Sequence, residues 1–569
     1  MLEKQAFDNI YVLLFMAKVI IYQIFTRLFG NRVEDCRKGG TLAENGCGKM
    51  NDFDAATLRR IKSLGITHVW YTGVIRHATV TDYSVHGIPR QHPAVVKGKA
   101  GSPYAITDYY DIDPDIAVDV DKRMSEFEAL VKRTHKAGMK VIIDFVPNHV
   151  ARQYRSVCKP EGVRDLGEDD DRNMHFSTEN NFYYCWGQPF EADIDLHCGE
   201  AEAYSEVPAR ATGNDCFGNR PGRNDWYETV KLNYGVDYCD AGGRSEHFCP
   251  IPDTWNKMTD ILLFWAAKGV DGFRCDMAEM VPVAFWAWAT DKVKYRYPDI
   301  KFIGEVYNPE QYRSYINAGF DWLYDKVGMY DCVRDVICGR RRAGDITSQW
   351  QATDDIGGNM LYFLENHDEQ RIGSDFFAGD GRKGIPGLMV SALMRQNPVM
   401  VYAGQEFGEH GMDEEGFSGR DGRTTIFDYW TVLAINHGYF NRRKLTKEEK
   451  ALEQVYSKIL NIALTESAVT DGLFYDLMYR NEAIGDNVYT FLRKSGNELL
   501  VIAANFSGNV ADCGIVIPRH ACEFLGIGES VHEGVELLSG DKDVFNIVSD
   551  SAVSVSIPAN GGVVWKIIL

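Results

Sequence analysis

Four segments of this chain place acids at the ends of apolar runs, beside neighbours that suit them for chemistry. Val270-Asp-Gly-Phe-Arg-Cys-Asp276 reads as a short buried strand that finishes in a carboxylate, with an arginine two residues earlier. Strand side chains alternate between faces, so Arg274 and Asp276 share one face while Phe273 and Cys275 share the other. A guanidinium beside a carboxylate favours the charged form and lowers its pKa. An ionised carboxylate at a strand end is what a nucleophilic role requires. Taken alone, one Arg-x-Asp is better read as a structural ion pair. Three more segments change that reading: Ile143-Asp-Phe-Val-Pro-Asn-His149, Ile303-Gly-Glu305-Val-Tyr307 and Leu364-Glu-Asn-His-Asp368. A single strand-end Asp is commonly a turn former or helix cap. Four acidic strand ends on one rim, with two histidines and an arginine, would concentrate like charge to no structural benefit. Such a group suits glycosidic bond cleavage, in which one carboxyl protonates the leaving oxygen and a second attacks the sugar carbon.

These residues need a scaffold that delivers strand ends to one rim. Eight short apolar runs are candidate strands: Val19–Phe25, His68–Thr72, Lys140–Val146, Gly272–Met277, Lys301–Val306, Phe320–Tyr324, Met360–Glu365 and Pro398–Ala403. Helical patterns lie between them, clearest at Ser125–Ala137, Trp255–Lys268 and Val281–Tyr295. Strands joined by helical crossovers imply a parallel sheet, here closed as a (β/α)₈ TIM barrel whose functional groups sit at the C-terminal strand ends. The stretch from Val150 to Trp255 is too long for a strand-to-helix loop and is rich in Gly, Asn, Asp and aromatics, so it reads as an inserted subdomain. Its acidic run Glu168-Asp-Asp-Asp-Arg172 reads as a solvated loop. Beyond about Arg480 the pattern turns to alternating strands, Asn487–Lys494, Glu498–Phe506, Cys513–Pro518 and Val553–Ile557, as in a β-sandwich. The expected organisation is therefore barrel over residues 1–150 and 251–480, insertion over 151–250 and β-sandwich over 481–569.

Composition narrows the partners. The formal net charge of −20 argues against nucleic acid or an anionic membrane, both of which need clustered Lys and Arg. Aromatic residues make up 12% of the chain; most belong to the core, and the remainder offer flat platforms of the kind sugars stack on. Thirteen cysteines without metal-ligand spacing read as free thiols, with Cys36/Cys47 and Cys239/Cys249 as the pairs that would bridge in an exported protein. The apolar run Ile10–Ile21 is interrupted by Lys18 and too short to span a bilayer. With no cationic excess before it and no cleavage site after it, neither a signal peptide nor a membrane helix is expected, and the protein is expected to be cytoplasmic.

In order and in residues, the four motifs resemble the signature regions of the α-amylase family of glycoside hydrolases. Barrel, insertion after the third strand and C-terminal β domain extend the resemblance over nearly the whole chain. The resemblance implies that Asp276 is the nucleophile of a retaining reaction, that Glu305 is the general acid and then base, and that Asp368 binds and distorts the sugar. Arg274 would orient Asp276, and His149 and His367 would hydrogen-bond the same sugar. Tyr104, in Ser102-Pro-Tyr-Ala-Ile-Thr-Asp108, would stack on it. The implied activity is hydrolysis of α-1,4 bonds in starch, glycogen or maltodextrin. A 4-α-glucanotransferase or maltosyltransferase is the alternative on the same scaffold, and a non-catalytic carbohydrate-binding relative is a further one. The chain departs from the family at two places. The Lys-His pair that often follows the nucleophile is Glu279-Met280 here, which leaves strict endo action open. The family's calcium-ligating Asp of the insertion aligns with Lys231 in Thr229-Val-Lys-Leu-Asn233, whereas Asn148, the other calcium ligand, is retained. The lysine ammonium would then stand in for the cation's charge, so calcium is an open expectation.

Overall fold

The structure is a computed structural model and describes residues 18–411 and 416–569. The reading of Met1–Asn9 lies outside the described residues, as does most of the run Ile10–Ile21. Among the described residues no helix is long and apolar enough to cross a membrane.

Eight parallel strands close into a barrel: β1 (Ile20–Phe25), β2 (His68–Thr72), β3 (Lys140–Phe145), β4 (Gly272–Cys275), β5 (Lys301–Gly304), β6 (Trp322–Tyr324), β7 (Met360–Phe363) and β8 (Val399–Tyr402). Their order around the barrel follows the chain, and β1 closes it by pairing with both β2 and β8. Each strand is buried on both faces by the barrel interior and the helical ring, which is why the strands read as continuous apolar runs. Along β4, Phe273 and Cys275 pack outward into the main core, while Arg274 points inward and lies in register with Asp144 on β3 and Ile303 on β5. A separate interior cluster, including Ile21, Trp70, Ile142, Ile303, Trp322, Leu361 and Met400, fills the barrel beneath the rim. The barrel is therefore a packed core that can present groups only at its ends.

The helices Arg123–Lys136, Asp253–Ala267 and Val283–Arg296 match the expected patterns to within two residues at every boundary. Strand β4 stops one residue short of Asp276, and β6 begins at Trp322 rather than Phe320.

Two long excursions rise from the rim. The expected insertion follows β3 and is held by short pairings, of which His149–Ala151 against Thr229–Lys231 sits at its root with His149 directly opposite Lys231. The second excursion spans residues 73–122 after β2 and contains the antiparallel pair Ile75–His77 and Ile106–Ile112. It carries Tyr104, and the sequence pattern did not signal it. After the helix Lys447–Thr465, a six-stranded sheet begins at Leu473, and Ala511–Ile517 paired with Ser551–Ile557 covers it across a second apolar core. This is the expected C-terminal β domain.

Candidate active site

The barrel interior brings the strand-end acids onto one guanidinium. Arg274 is fully buried; its Nη1 lies 2.7 Å from Asp276 Oδ1 and its Nη2 lies 2.7 Å from Glu305 Oε2. Asp144 Oδ1 lies 3.6 Å from the same Nη1, and Asp144 Oδ2 accepts from Trp70 Nε1 at 3.1 Å. The guanidinium also stacks within 5.3 Å of the Trp70 and Tyr104 rings, and its Nε donates to Tyr324 OH at 3.3 Å. Planarity, a two-pronged donor set and aromatic stacking are properties of arginine that lysine lacks.

From the sequence alone, Arg274 is expected to lower the pKa of Asp276. The structure reverses that direction. Burial pushes the Asp276 carboxyl well above the usual carboxylate range, with Arg274 pulling back and Glu305 adding to the rise. Burial likewise raises Asp144 to about 7 against the pull of Arg274. One cation thus serves three buried carboxyls, and the group favours keeping a proton that belongs to the cluster rather than to one residue. A proton held beside an ionised partner is what paired acid and nucleophile chemistry uses.

Besides Arg274, two donors aim Glu305. Its Oε1 accepts from Tyr307 OH at 2.5 Å and its Oε2 from the Met277 amide at 2.8 Å. Met277 follows Asp276 and adopts a left-handed backbone with φ of 43°, unusual for a residue with a side chain. That twist turns the chain off the strand and points the amide at Glu305. Glu279, which stands where the family often has lysine, has a definite place: its Oε2 accepts from the amides of Tyr307 at 2.6 Å and Asn308 at 3.1 Å. The β4 loop therefore holds the β5 loop that bears Tyr307. Neither Tyr307 nor Glu279 had been assigned a role from sequence, because each acts through a loop that only the fold brings close.

On the opposite wall Tyr104 OH lies 2.5 Å from His367 Nε2, and Gln23 Nε2 lies 2.7 Å from His367 Nδ1. His367 Nε2 is also 3.1 Å from Asp368 Oδ2, and Asp368 keeps part of its side chain open to the cavity. Burial, with Arg274 nearby, holds His367 well below its ordinary pKa; burial and Lys231 bring His149 to about 3. Both rings are neutral at physiological pH and act as hydrogen-bonding groups. The other acid of the β7 motif, Glu365, is taken up by Arg371 at 2.8 Å and by the Ile372 amide at 2.7 Å.

Tyr104, His149, Asp276, Glu305, Tyr307, His367 and Asp368 line one cavity of about 390 Å³. Loop residues complete it, among them Lys97, Trp226, Glu228, Arg423 and Phe427, none of which the sequence pattern singled out. Asn148 does not line the cavity but lies behind it, with its Nδ2 3.2 Å from His149 Nδ1. Its Oδ1 accepts from Lys231 Nζ at 2.5 Å, and the same ammonium lies 2.7 Å from Asp215 Oδ1 and 3.4 Å from Met280 O. Elsewhere Asp108, Asp111 and Cys158, and likewise Asp237, Asp240 and His247, each bring three ligand atoms within 4.8 Å of one another. Asp108 and Asp111 are engaged by Arg76 at 3.1 and 3.0 Å.

Residues 23–461 match the family described as "Alpha amylase, catalytic domain". An alpha-amylase of Streptomyces lividans is 25% identical across 89% of this chain and 55% of its own, so the chain spans about half the length of that relative. The trehalose-6-phosphate hydrolase of Bacillus subtilis is 22% identical across 87% of this chain and 90% of its own. Among solved structures, the alpha-amylase of Geobacillus thermoleovorans complexed with acarbose superposes with a TM-score of 0.62 over 97% of this chain and 98% of that one, at 20% identity. With the family match running through all eight barrel strands, from within β1 onward, the chain belongs to the alpha-amylase family of glycoside hydrolases.

Proposed function

We propose that the protein is a retaining α-glucan hydrolase that cleaves α-1,4 bonds through a covalent glycosyl–Asp276 intermediate. The observation that carries this reading is Arg274, whose two Nη atoms each hold one acid, Asp276 and Glu305, at 2.7 Å. Two carboxyls within reach of one guanidinium suit the ~5–5.5 Å spacing of double displacement better than the ~6.5–9.5 Å that leaves room for a directly attacking water. Asp276 attacks the anomeric carbon while Glu305 protonates the departing oxygen. Glu305 then takes the proton of the water that releases the sugar. Tyr104 supplies a stacking face, and His149, His367 and Asp368 supply hydrogen bonds to its hydroxyls. Fresh product is expected as the α-anomer in proton NMR spectra taken within the first turnovers on maltotriose. The β-anomer appearing first would overturn the retaining mechanism. Longer oligosaccharides appearing early, without matching gain of reducing ends, would favour the 4-α-glucanotransferase or maltosyltransferase reading.

The cavity's charges favour an uncharged glucan over a phosphorylated sugar. Lys97 lies 3.0 Å from Glu228 and Arg423 lies 2.6 Å from Asp421, so each of these lining cations already faces a carboxylate.

The surroundings of Asn148 do not fit calcium. Calcium takes about 6–8 oxygens at ~2.3–2.6 Å, whereas here the Lys231 ammonium already occupies the space between Asn148, Asp215 and Met280. Activity and Tm are expected to be the same with and without EDTA. A chelator-induced loss that added calcium restores would refute this.

A further inference from the structure

The position of Glu305 fixes which side of the cavity receives which end of a glucan. Glu305 protonates the leaving oxygen, so the reducing-end portion departs on the β5 side and the non-reducing portion lies across the barrel. In the closed order β1-β8-β7-β6-β5-β4-β3-β2, the strand opposite β5 is β1, flanked by β8 and β2. The loops that rise from β2 and β8 meet over this side. The Ala100 amide donates to Phe427 O at 3.0 Å. Gly98 has φ of +67°, and a Cβ there would come within 2.2 Å of Phe427 O, so the two backbones touch without a gap. Arg27, just past β1 and buried, fastens both loops from below: it donates to Ala100 O and Gly101 O at 2.8 Å each and also to Ile426 O. Tyr429 OH is held by Thr79 at 2.8 Å, Thr81 at 2.7 Å and Asp115 at 2.7 Å.

The next sector of the rim is closed as well. Lys97 of the β2 excursion reaches Glu228 of the insertion at 3.0 Å, and their side chains are only 13% and 5% exposed. Trp226 stands beside them with its ring centroid 5.3 Å from that of His149. Lys97, Glu228 and Phe427 line the same cavity as Asp276 and Glu305. Its volume of about 390 Å³ sits near the lower end of the ~300–1,000 Å³ range of small-molecule sites.

Resting on the α-glucan reading above, we infer that the protein attacks glucans at their non-reducing ends, because the wall made by Lys97–Glu228 and Gly98-Lys-Ala100 against Phe427 leaves no exit for sugars beyond that end. A chain interior would have to pass through this wall to place an internal bond between Asp276 and Glu305. The test compares two nitrophenyl maltoheptaosides, one free and one carrying a cyclic acetal on its non-reducing terminal glucose, with nitrophenyl α-maltoside as a short reference. The free heptaoside is expected to shorten stepwise from its non-reducing end, and the blocked one to react at least ~100-fold more slowly, a difference of ~2.7 kcal/mol in transition-state access. Equal cleavage of both heptaosides overturns the chain-end inference and leaves the α-glucan reading standing. Failure to cleave either heptaoside or the maltoside overturns the α-glucan reading and this inference with it.

Discussion

Asp276→Asn is expected to lower kcat on α-1,4-glucosides by on the order of 10⁴-fold or more, the scale seen when a covalent nucleophile is removed. An amide of the same shape cannot form the glycosyl ester, so the loss should fall on kcat for every substrate, whatever its leaving group. The same substitution is expected to leave the fold intact. Burial raises the Asp276 carboxyl, so the folded state holds this proton more tightly than the unfolded chain does. Such a group costs stability as pH rises above its unfolded pKa. Asn removes that cost at neutral pH, while Arg274 keeps Glu305 and Asp144 as partners. Tm at neutral pH should therefore be unchanged or higher. Wild-type-like turnover by Asp276→Asn on an activated α-glucoside would remove this residue from the mechanism.

Glu305→Gln should behave differently, and the difference identifies its role. General acid–base catalysis is worth ~10²–10⁴-fold, so turnover of maltotriose, whose leaving oxygen needs a proton, should fall by about that factor. A nitrophenyl leaving group departs without protonation, so the first step with a nitrophenyl α-glucoside should be nearly unimpaired. Hydrolysis of the intermediate still lacks its base. The expected record is a burst of nitrophenol followed by a slow steady state, measured by stopped flow. Equal losses on both substrates, with no burst, would show that Glu305 is not the acid. The side-chain oxygen of Gln still accepts from the Met277 amide, whereas its contact with Arg274 loses charge. Removing one partner of a buried ion pair can cost ~3–5 kcal/mol, so unfolding should be measured alongside.

The acids of the site were legible because each ends an apolar run, and a barrel strand buried on both faces must be such a run. Arg274 followed from alternation along the same strand. What the sequence could not show is whatever depends on a partner brought from another loop. Glu279 looked like a departure from the family until its carboxylate was seen capping the Tyr307 and Asn308 amides. Lys97 and Glu228 are far apart in the chain and close the cavity only because the β2 excursion and the insertion rise side by side. The Asp276 shift runs against the sequence expectation for a similar reason. The neighbouring guanidinium is visible in sequence, but the desolvation that outweighs it is a property of the closed barrel. The excursion at 73–122 leaves little sequence signal because its one strand pair is short and irregular, with register shifts around Arg76.

The ammonium of Lys231, set between Asn148 and Asp215 where the insertion leaves the barrel, has a consequence for how that junction responds to its surroundings. A dissociable ion fills its site according to its free concentration, and the stability it lends rises and falls by mass action. A side chain has no such dependence. Its occupancy is one at any dilution and in any medium, and it is in place from the moment the polypeptide folds.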